Sequence, residues 1–297
     1  MFKPKGIICP ISTPFHKDET INEEELRRQC DRMINAGLQG IFALGTNGEN
    51  YAMEFEEKVK VLEIVIDQVN HRVPVYAGTG CVSTKGTIEL TKKAKELGAE
   101  VASIVTPYYA AVSQEGLIKH YSAIAEAVDI PILIYNMPAR TGVNVAPATI
   151  AKLAKIPNII GVKDSSGNFD NMLQYFENTD REEFSVLSGN DSLILWCLQA
   201  GGAGGIAGLS NVFPERIEAI YQNFLAGNFA KALEIENSIR PLRKVMASSN
   251  PNSVIKRAAT FMGQNMGPCK APFDIQSETI DAAIKDALAY AEKTPLQ

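Results

Sequence analysis

Residues 159–167 read IIGVKDSSG, a short apolar run followed at once by a lysine, an aspartate and small polar residues. Similar apolar runs recur with amphipathic stretches between them, and their starts lie roughly 28 residues apart, which is room for one strand, one helix and two loops. This alternation favours a parallel sheet, and eight repeats favour a closed (β/α)8 TIM barrel. The predicted strands are Gly6–Ile11, Gly40–Leu44, Val73–Ala77, Val101–Val105, Ile132–Tyr135, Ile159–Val162, Phe184–Leu187 and Gly204–Ala207.

The stretches between these runs begin and end like helices. Asn22 precedes three glutamates, an N-cap followed by carboxylates that complement the helix dipole, and Gly37 stops the apolar stripe that follows. A second predicted helix, Thr84–Leu97, ends at Gly98. Short apolar runs alone do not distinguish buried strands from buried helix segments, so the prediction depends on the repeated order of run, loop, amphipathic stretch and glycine. A doubly wound open sheet is the alternative.

No strand-like run follows Leu209, and the rest of the chain reads as helices. We predict two domains, a barrel over residues 1–226 and a C-terminal helical bundle over residues 227–297. The first predicted helix completes the barrel and the other three form the bundle. The four helices are predicted over Glu215–Ala226, Phe229–Ala247, Ser253–Met262 and Thr279–Lys293.

Composition excludes several classes of protein. The chain has 297 residues, 45% of them hydrophobic, a formal net charge of −5 and no lysine- or arginine-rich run, which argues against nucleic-acid or anionic-membrane binding. No apolar stretch is long enough to span a membrane, and the N-terminus does not resemble a signal peptide. Small molecules are therefore the expected partners, and we expect a cytoplasmic location.

The cysteines and histidines predict neither disulfides nor a metal site. The five cysteines are odd in number and scattered through apolar surroundings, which is typical of reduced thiols inside a core. The three histidines stand far apart, without the spacing of a zinc site. We therefore predict no metal and no cofactor. The cysteines are Cys9, Cys30, Cys81, Cys197 and Cys269, and the histidines are His16, His71 and His120.

Lys163 is the first candidate catalytic residue. Catalytic groups of such barrels lie at the carboxyl ends of the strands, and Lys163 follows the apolar run 159–162 directly. An ammonium group held there loses hydration, which lowers its pKa and leaves more neutral amine to attack a ketone. The alternative is a lysine that simply reaches solvent at the end of its strand.

Three hydroxyl groups from other strand ends support the catalytic interpretation. Thr46, Tyr109 and Tyr135 follow or end three further runs, and an imine-forming enzyme without a catalytic histidine needs such groups to move protons. Each has a structural alternative: Tyr135 as a core aromatic residue, and Thr46 as part of a glycine-flanked turn.

Two other features carry weaker predictions. Arg140 lies in a loop between Pro138 and Gly142, where a guanidinium group can hold a substrate carboxylate through two hydrogen bonds or can simply face solvent. The glycines at 201–208 surround the eighth run, where many barrels bind phosphate. We favour close backbone packing for these glycines, since the preceding loop has no phosphate-type glycine turn.

Taken together, the motifs resemble the dihydrodipicolinate synthase and N-acetylneuraminate lyase family of class I pyruvate aldolases. The resemblance runs from Gly6 to about Leu209 and continues more weakly in the helical tail. It rests on four ordered motifs at strand ends, Gly45-Thr46-x-Gly48-Glu49, Tyr108-Tyr109, Tyr135-Asn136-x-Pro138 and Gly161-Val162-Lys163-Asp164.

The resemblance implies roles for individual residues. Lys163 would form a Schiff base with pyruvate, Tyr135 would carry protons, and Thr46 would link Tyr135 to Tyr109. In the family the counterpart of Tyr109 reaches into a neighbouring subunit's site, so a homodimer, often within a homotetramer, is implied. Gly189 and Ile206 match positions whose backbone lines the pyruvate pocket.

The sequence favours one branch of the family and departs from it in places. Arg140-Thr141-Gly142 resembles the synthase branch, in which this arginine binds the carboxylate of aspartate semialdehyde. Asn47 replaces a usual second threonine at the carboxylate-binding turn, Ala110 replaces a common asparagine, and Ser165-Ser166 replaces Ala-Thr. The form Lys-Asp-Ser-Ser-Gly is more typical of lyases that cleave 2-keto-3-deoxy acids.

The resulting hypotheses are a dihydrodipicolinate synthase, an aldolase for a 2-keto-3-deoxy sugar acid or related 2-oxo acid, and a catalytically silent barrel that binds ligands. Every expected catalytic position is kept, which weakens the third. We also predict no feedback inhibition by lysine, because the positions that are polar in lysine-inhibited synthases are here Tyr51, Phe55, Val82 and Gly86.

Overall fold

A computed structural model describes residues 2–275 and 277–296. Its strands are parallel and follow one another in sequence order around a closed barrel, which confirms the predicted (β/α)8 fold and excludes the open sheet. They are β1 Gly6–Pro10, β2 Gly40–Ala43, β3 Val75–Gly78, β4 Val101–Val105, β5 Ile132–Asn136, β6 Ile159–Asp164, β7 Ser185–Ser188 and β8 Gly204–Ile206.

The helices lie close to their predicted bounds, and Thr84–Leu97 and Phe229–Ala247 match them fully. They are α1 Glu23–Asn35, α2 Phe55–Val69, α3 Thr84–Leu97, α4 Gln114–Ala127, α5 Pro138–Thr141, α6 Pro147–Leu153, α7 Phe169–Glu177, α8 Ile194–Gln199, α9 Pro214–Leu225, α10 Phe229–Ala247, α11 Pro251–Phe261 and α12 Glu278–Glu292. Within the part of the chain that the structure describes, no strand follows β8, as the sequence predicts.

The predicted caps are present. The Asn22 side chain accepts a hydrogen bond from the Glu25 amide at 3.2 Å and starts α1. Gly98 ends α3 with a φ of 105°, a left-handed conformation that costs glycine little. Helix α11 begins at Pro251, two residues earlier than predicted, because proline is favoured in a first turn and Asn250 caps it.

Several strand ends differ by one residue from their predicted positions, and two ends differ by two residues. Strand β6 continues through Lys163 and Asp164, because both residues pair in register with β5 on one side and β7 on the other. Strand β3 begins at Val75 and not at Val73, since the intervening Pro74 has no N–H group to donate.

The chain divides into two compact units. The first comprises residues 2–6 and 74–206, in which β3 to β8 form consecutive parallel pairs with fully buried β5 and β6. The second comprises residues 7–73 and 207–296 without residue 276; there β1 pairs with β2, and α10 packs against α9, α11 and α12. The division into a barrel over 1–226 and a bundle over 227–297 stays a prediction.

The cysteines and the strand-eight glycines can be located as well. Cys9, Cys30, Cys197 and Cys269 are buried as predicted, but Cys81 is only half-buried, because it follows the β3 end. A Cβ on Gly202, Gly204 or Gly205 would lie within 2.7 Å of neighbouring atoms, so these glycines permit the predicted close packing.

Candidate active site

Lys163 and Tyr135 lie beside each other on neighbouring strands. They are register partners of β6 and β5, and both are buried, with 3% and 4% of their surface exposed. The Lys163 Nζ lies 3.8 Å from the centre of the Tyr135 ring. Two of the four predicted catalytic residues therefore meet within the first compact unit.

Burial is the main influence on the Lys163 amine. Loss of hydration lowers the pKa of Lys163 below its usual value, while the charge and hydrogen bond of Tyr135 and the nearby Asp191 oppose that shift. The pKa of this amine is thus moved towards neutrality, which increases the fraction that can act as a nucleophile. Lys163 is therefore buried as predicted, and the alternative that it reaches solvent at the end of its strand is wrong.

A polar network fixes the ends of β5 and β6 next to this pair. The Asn136 amide donates to the Asp164 carboxylate at 2.9 Å and to the Tyr175 hydroxyl at 3.2 Å. Asp164 also accepts hydrogen bonds from the backbone and hydroxyl of Ser166, and its burial raises its pKa. Asn136 and Asp164 each follow a predicted catalytic residue, so the network supports the register of Tyr135 with Lys163.

Gly189 leaves room for the lysine side chain. A Cβ at this position would lie 2.9 Å from Lys163 Cε and 1.9 Å from Ser165 Oγ. The Gly189 amide donates to the Asp164 carbonyl at 2.7 Å, and its carbonyl accepts from Ser165 Oγ at 3.2 Å. The predicted substrate-lining position therefore contacts the predicted nucleophile.

Tyr109 and Arg140, also in the first unit, are exposed. Tyr109 has 99% of its surface exposed and a φ of 74°, an unusual backbone conformation for a residue other than glycine. Arg140 lies on the short helix α5, and no ion pair of its guanidinium group is found within the described ranges. The structure therefore does not bring these two side chains to Lys163. Ile206 ends β8 and is 1% exposed.

Thr46 and Asn47 lie in the second unit, on the turn after β2. Both are half-buried. The Thr46 carbonyl accepts a hydrogen bond from the Asn252 amide at 2.8 Å, and the Asn47 amide donates to the Asn252 side-chain oxygen at 3.3 Å. The turn is thus held by side chains of α11.

Sequence reasoning missed several residues of these sites. Asn136 and Asp164 stand inside the quoted motifs, so their position next to Tyr135 and Lys163 was a usable signal. Asp191 follows the Gly189 segment and is 4% exposed, and a buried acid beside a glycine turn was a weaker signal. Asn252 gave no local signal, because its partners lie about two hundred residues earlier in the chain.

Among residues 2–275 and 277–296, no group of three or more histidine, cysteine or acidic side chains has the arrangement of a metal site. No helix in these ranges is both long enough and apolar enough to cross a bilayer.

The sequence model of the Dihydrodipicolinate synthetase family matches residues 3–291. The chain belongs to this family. The predicted resemblance is confirmed, and with it the prediction of an enzyme of the lyase class, so a catalytically silent barrel is not retained.

Members of the dihydrodipicolinate synthetase family are similar to this chain over almost its full length. The 4-hydroxy-tetrahydrodipicolinate synthase of Methanoculleus marisnigri is 37% identical over 286 residues, 96% of this chain and 98% of the relative. That of Syntrophus aciditrophicus is 42% identical over 281 residues, 95% and 96% of the two chains. The chloride-inhibited dihydrodipicolinate synthase of Acinetobacter baumannii, solved with pyruvate, is 34% identical and covers 97% and 99% of the chains with a TM-score of 0.93.

Proposed function

We propose that the chain is a 4-hydroxy-tetrahydrodipicolinate (dihydrodipicolinate) synthase, which condenses pyruvate with aspartate semialdehyde through a Schiff base on Lys163. The observation that carries this proposal is the buried Lys163 amine, whose pKa is lowered by burial and whose Nζ lies 3.8 Å from the Tyr135 ring. The similarity to curated synthases at 37% and 42% identity supports the choice of reaction.

The proposed reaction begins with attack of the neutral Lys163 amine on the keto carbon of pyruvate. Water leaves and an imine forms. Loss of a proton from the methyl group then gives an enamine, whose carbon adds to the aldehyde carbon of the second substrate. The amino group of that substrate then attacks the imine carbon, which closes the ring and releases the Lys163 amine. These steps move several protons, which is the role that we give to the Tyr135 hydroxyl.

Thr46 and Tyr109 complete the proposed proton relay. The Tyr109 side chain has 99% of its surface accessible, which supports a position at a subunit interface, because a second subunit could bury the ring and give its hydroxyl a hydrogen-bond partner. We therefore propose a homodimer or homotetramer in which Tyr109 serves a neighbouring subunit. A cross-linked or ultracentrifuged sample that is monomeric at working concentration would contradict this part.

Four residues are proposed to bind substrate. The backbones of Gly189 and Ile206 line the pyruvate pocket, and Arg140 and Asn47 bind the carboxylate of the aldehyde substrate. The exposed guanidinium group on α5 supports this role for Arg140, since two parallel N–H groups match a carboxylate. We propose no cofactor, because imine chemistry needs none, and a cytoplasmic location.

Borohydride trapping with pyruvate tests the nucleophile. A reduced adduct should appear on the peptide that contains Lys163 and on no other lysine peptide. A panel of aldehydes then tests the second substrate, with aspartate semialdehyde expected to give the highest kcat/KM. Arg140→Ala should lower kcat/KM for aspartate semialdehyde by about 100-fold, the loss of a charged bidentate contact. Turnover that survives this change unaltered would exclude the carboxylate role.

A 2-keto-3-deoxy sugar acid aldolase is the second candidate. Asn47 and Ser165-Ser166 favour it, because they replace residues that are usual in synthases. This candidate uses the same imine and differs only in the aldehyde. Faster turnover of a hydroxylated aldehyde than of aspartate semialdehyde in the same panel would select it.

A further inference from the structure

Two side chains of α11 hold the turn that follows β2. Asn252 and Lys256 lie four residues apart on one face of this helix, and both are buried, with 5% and 1% of their surface exposed. Their partners are residues 46–51, all within the second compact unit. A helix from the C-terminal part of the chain therefore contacts the turn that carries Thr46 and Asn47.

Asn252 bonds to three residues of this segment. Its amide donates to the Thr46 carbonyl at 2.8 Å and to the Tyr51 hydroxyl at 2.9 Å. Its side-chain oxygen accepts from the Asn47 amide at 3.3 Å. Both N–H groups and the oxygen of the Asn252 side chain are thus used, which leaves it little freedom to turn.

Lys256 fixes the far end of the same turn. Its ammonium group lies 2.5 Å from the carboxylate of Glu49, a fully buried residue with a φ of 59°. The second oxygen of this carboxylate accepts the Lys270 amide at 2.9 Å. The ion pair fixes the position of Glu49 in the turn. The Asn47 side chain can still rotate about its own bonds, and its hydrogen bond to Asn252 restricts that rotation.

We propose that Asn252 is a positioning residue that sets the specificity for the second substrate, because it orients the Asn47 amide towards that substrate. This inference rests on the proposed function and deepens it. An asparagine at position 47 has a longer side chain than threonine and two chemically different ends. Asn252 accepts a hydrogen bond from one N–H group of the Asn47 amide, which fixes its orientation, and the second N–H group is the one that we assign to the substrate carboxylate.

Steady-state kinetics of the full-length enzyme test the proposal. Asn252→Ala should raise KM for the aldehyde about tenfold and leave KM for pyruvate and the borohydride adduct on Lys163 within about twofold, because Asn252 contacts Thr46 at its backbone carbonyl and not at the hydroxyl proposed for the proton relay. Thr260→Ala, an exposed position on the same helix, is the matched control and should change neither constant. If Asn252→Ala does not fold, Asn252→Asp replaces it, with a smaller rise because the carboxylate still accepts from Asn47.

A double-mutant cycle separates positioning from general support of the fold. If Asn252 acts through Asn47, the double variant Asn47→Ala with Asn252→Ala should have the aldehyde KM of Asn47→Ala alone, within about twofold. Additive effects, or equal losses for pyruvate and aldehyde, would overturn the inference. An unmodified enzyme that gives no adduct with pyruvate would instead refute the proposed function, and the inference with it.

Discussion

Lys163 and Lys256 are the two least exposed lysines of residues 2–275 and 277–296, and their surroundings differ. Lys163 on β6 lies against the Tyr135 ring, and burial lowers its pKa. Lys256 on α11 lies 2.5 Å from the Glu49 carboxylate and donates to the Pro268 carbonyl at 2.9 Å. Similar burial is therefore compatible with two uses of the same side chain, the proposed nucleophile in one compact unit and a structural ion pair in the other.

The largest expected effect follows from removal of the nucleophile. Lys163→Met should abolish the borohydride adduct and lower turnover by at least about 10⁴-fold, since the proposed reaction passes through an imine on this residue. The melting temperature should stay the same or rise, because methionine is buried without loss of charge hydration. The exposed Lys155→Met is the matched control and should keep full activity. An adduct that persists in Lys163→Met would assign the chemistry to another lysine.

Removal of Lys256 should lower stability, whereas removal of Lys163 should not. Lys256→Met leaves the Glu49 carboxylate buried beside an apolar group, so the free energy of unfolding should fall by about 3–5 kcal/mol in denaturant titrations. Adding Glu49→Gln to this variant should restore much of the loss.

The surface pair Lys119–Glu115 serves as the control for this prediction. Its side chains are 75% and 76% exposed, so Lys119→Met should cost less than about 1 kcal/mol. If Lys256→Met and Lys119→Met lower the free energy of unfolding equally, the buried contact with Glu49 stabilises the fold no more than a surface ion pair does.

Substitution of Gly189 tests whether the Lys163 side chain can move away from its position in the structure. Gly189→Ala places a Cβ 2.9 Å from Lys163 Cε, so imine formation in single-turnover trapping should slow by about 10–100-fold. Ser165→Gly in the same chain removes the second clash and should recover part of the rate. Ser165→Ala alone should be close to the unaltered enzyme. An unchanged trapping rate in Gly189→Ala would mean that the lysine side chain is free to move aside.

The position of Lys163 can be predicted from the sequence, whereas the contacts of Lys256 cannot. Lys163 is predictable because strand, loop and helix alternate locally and because the carboxyl ends of barrel strands carry the catalytic groups. The sequence does not predict that Lys163 is itself part of β6, since its pairing with Tyr135 and Leu187 depends on the two neighbouring strands.

The Lys256 ion pair lies at the other extreme. Glu49 is part of a recognised motif, but its cation comes from a helix two hundred residues further along, and no local pattern relates the two. Asn252 is unpredictable for the same reason. Periodicity indicates which residues are buried and leaves open which buried polar groups meet.

The buried imidazole of His120 on α4 should give the smallest effect. It is 5% exposed, its Nδ1 lies 2.8 Å from the Thr84 hydroxyl, and burial lowers its pKa from 6.5 to about 4. The unfolded chain therefore binds the proton at a higher pH than the folded chain, and stability falls as pH drops from 6.5 towards 4.

We expect His120 to account for a loss on the order of 1 kcal/mol between about pH 7 and pH 5.5, measured as the free energy of unfolding at each pH. His120→Gln keeps a polar group for Thr84 and cannot gain this charge, so its stability should change less over that range. The exposed His16→Gln should follow the unaltered chain. If His120→Gln keeps the full pH dependence, burial of this imidazole is not its source, and the low pKa assigned here to burial would be wrong.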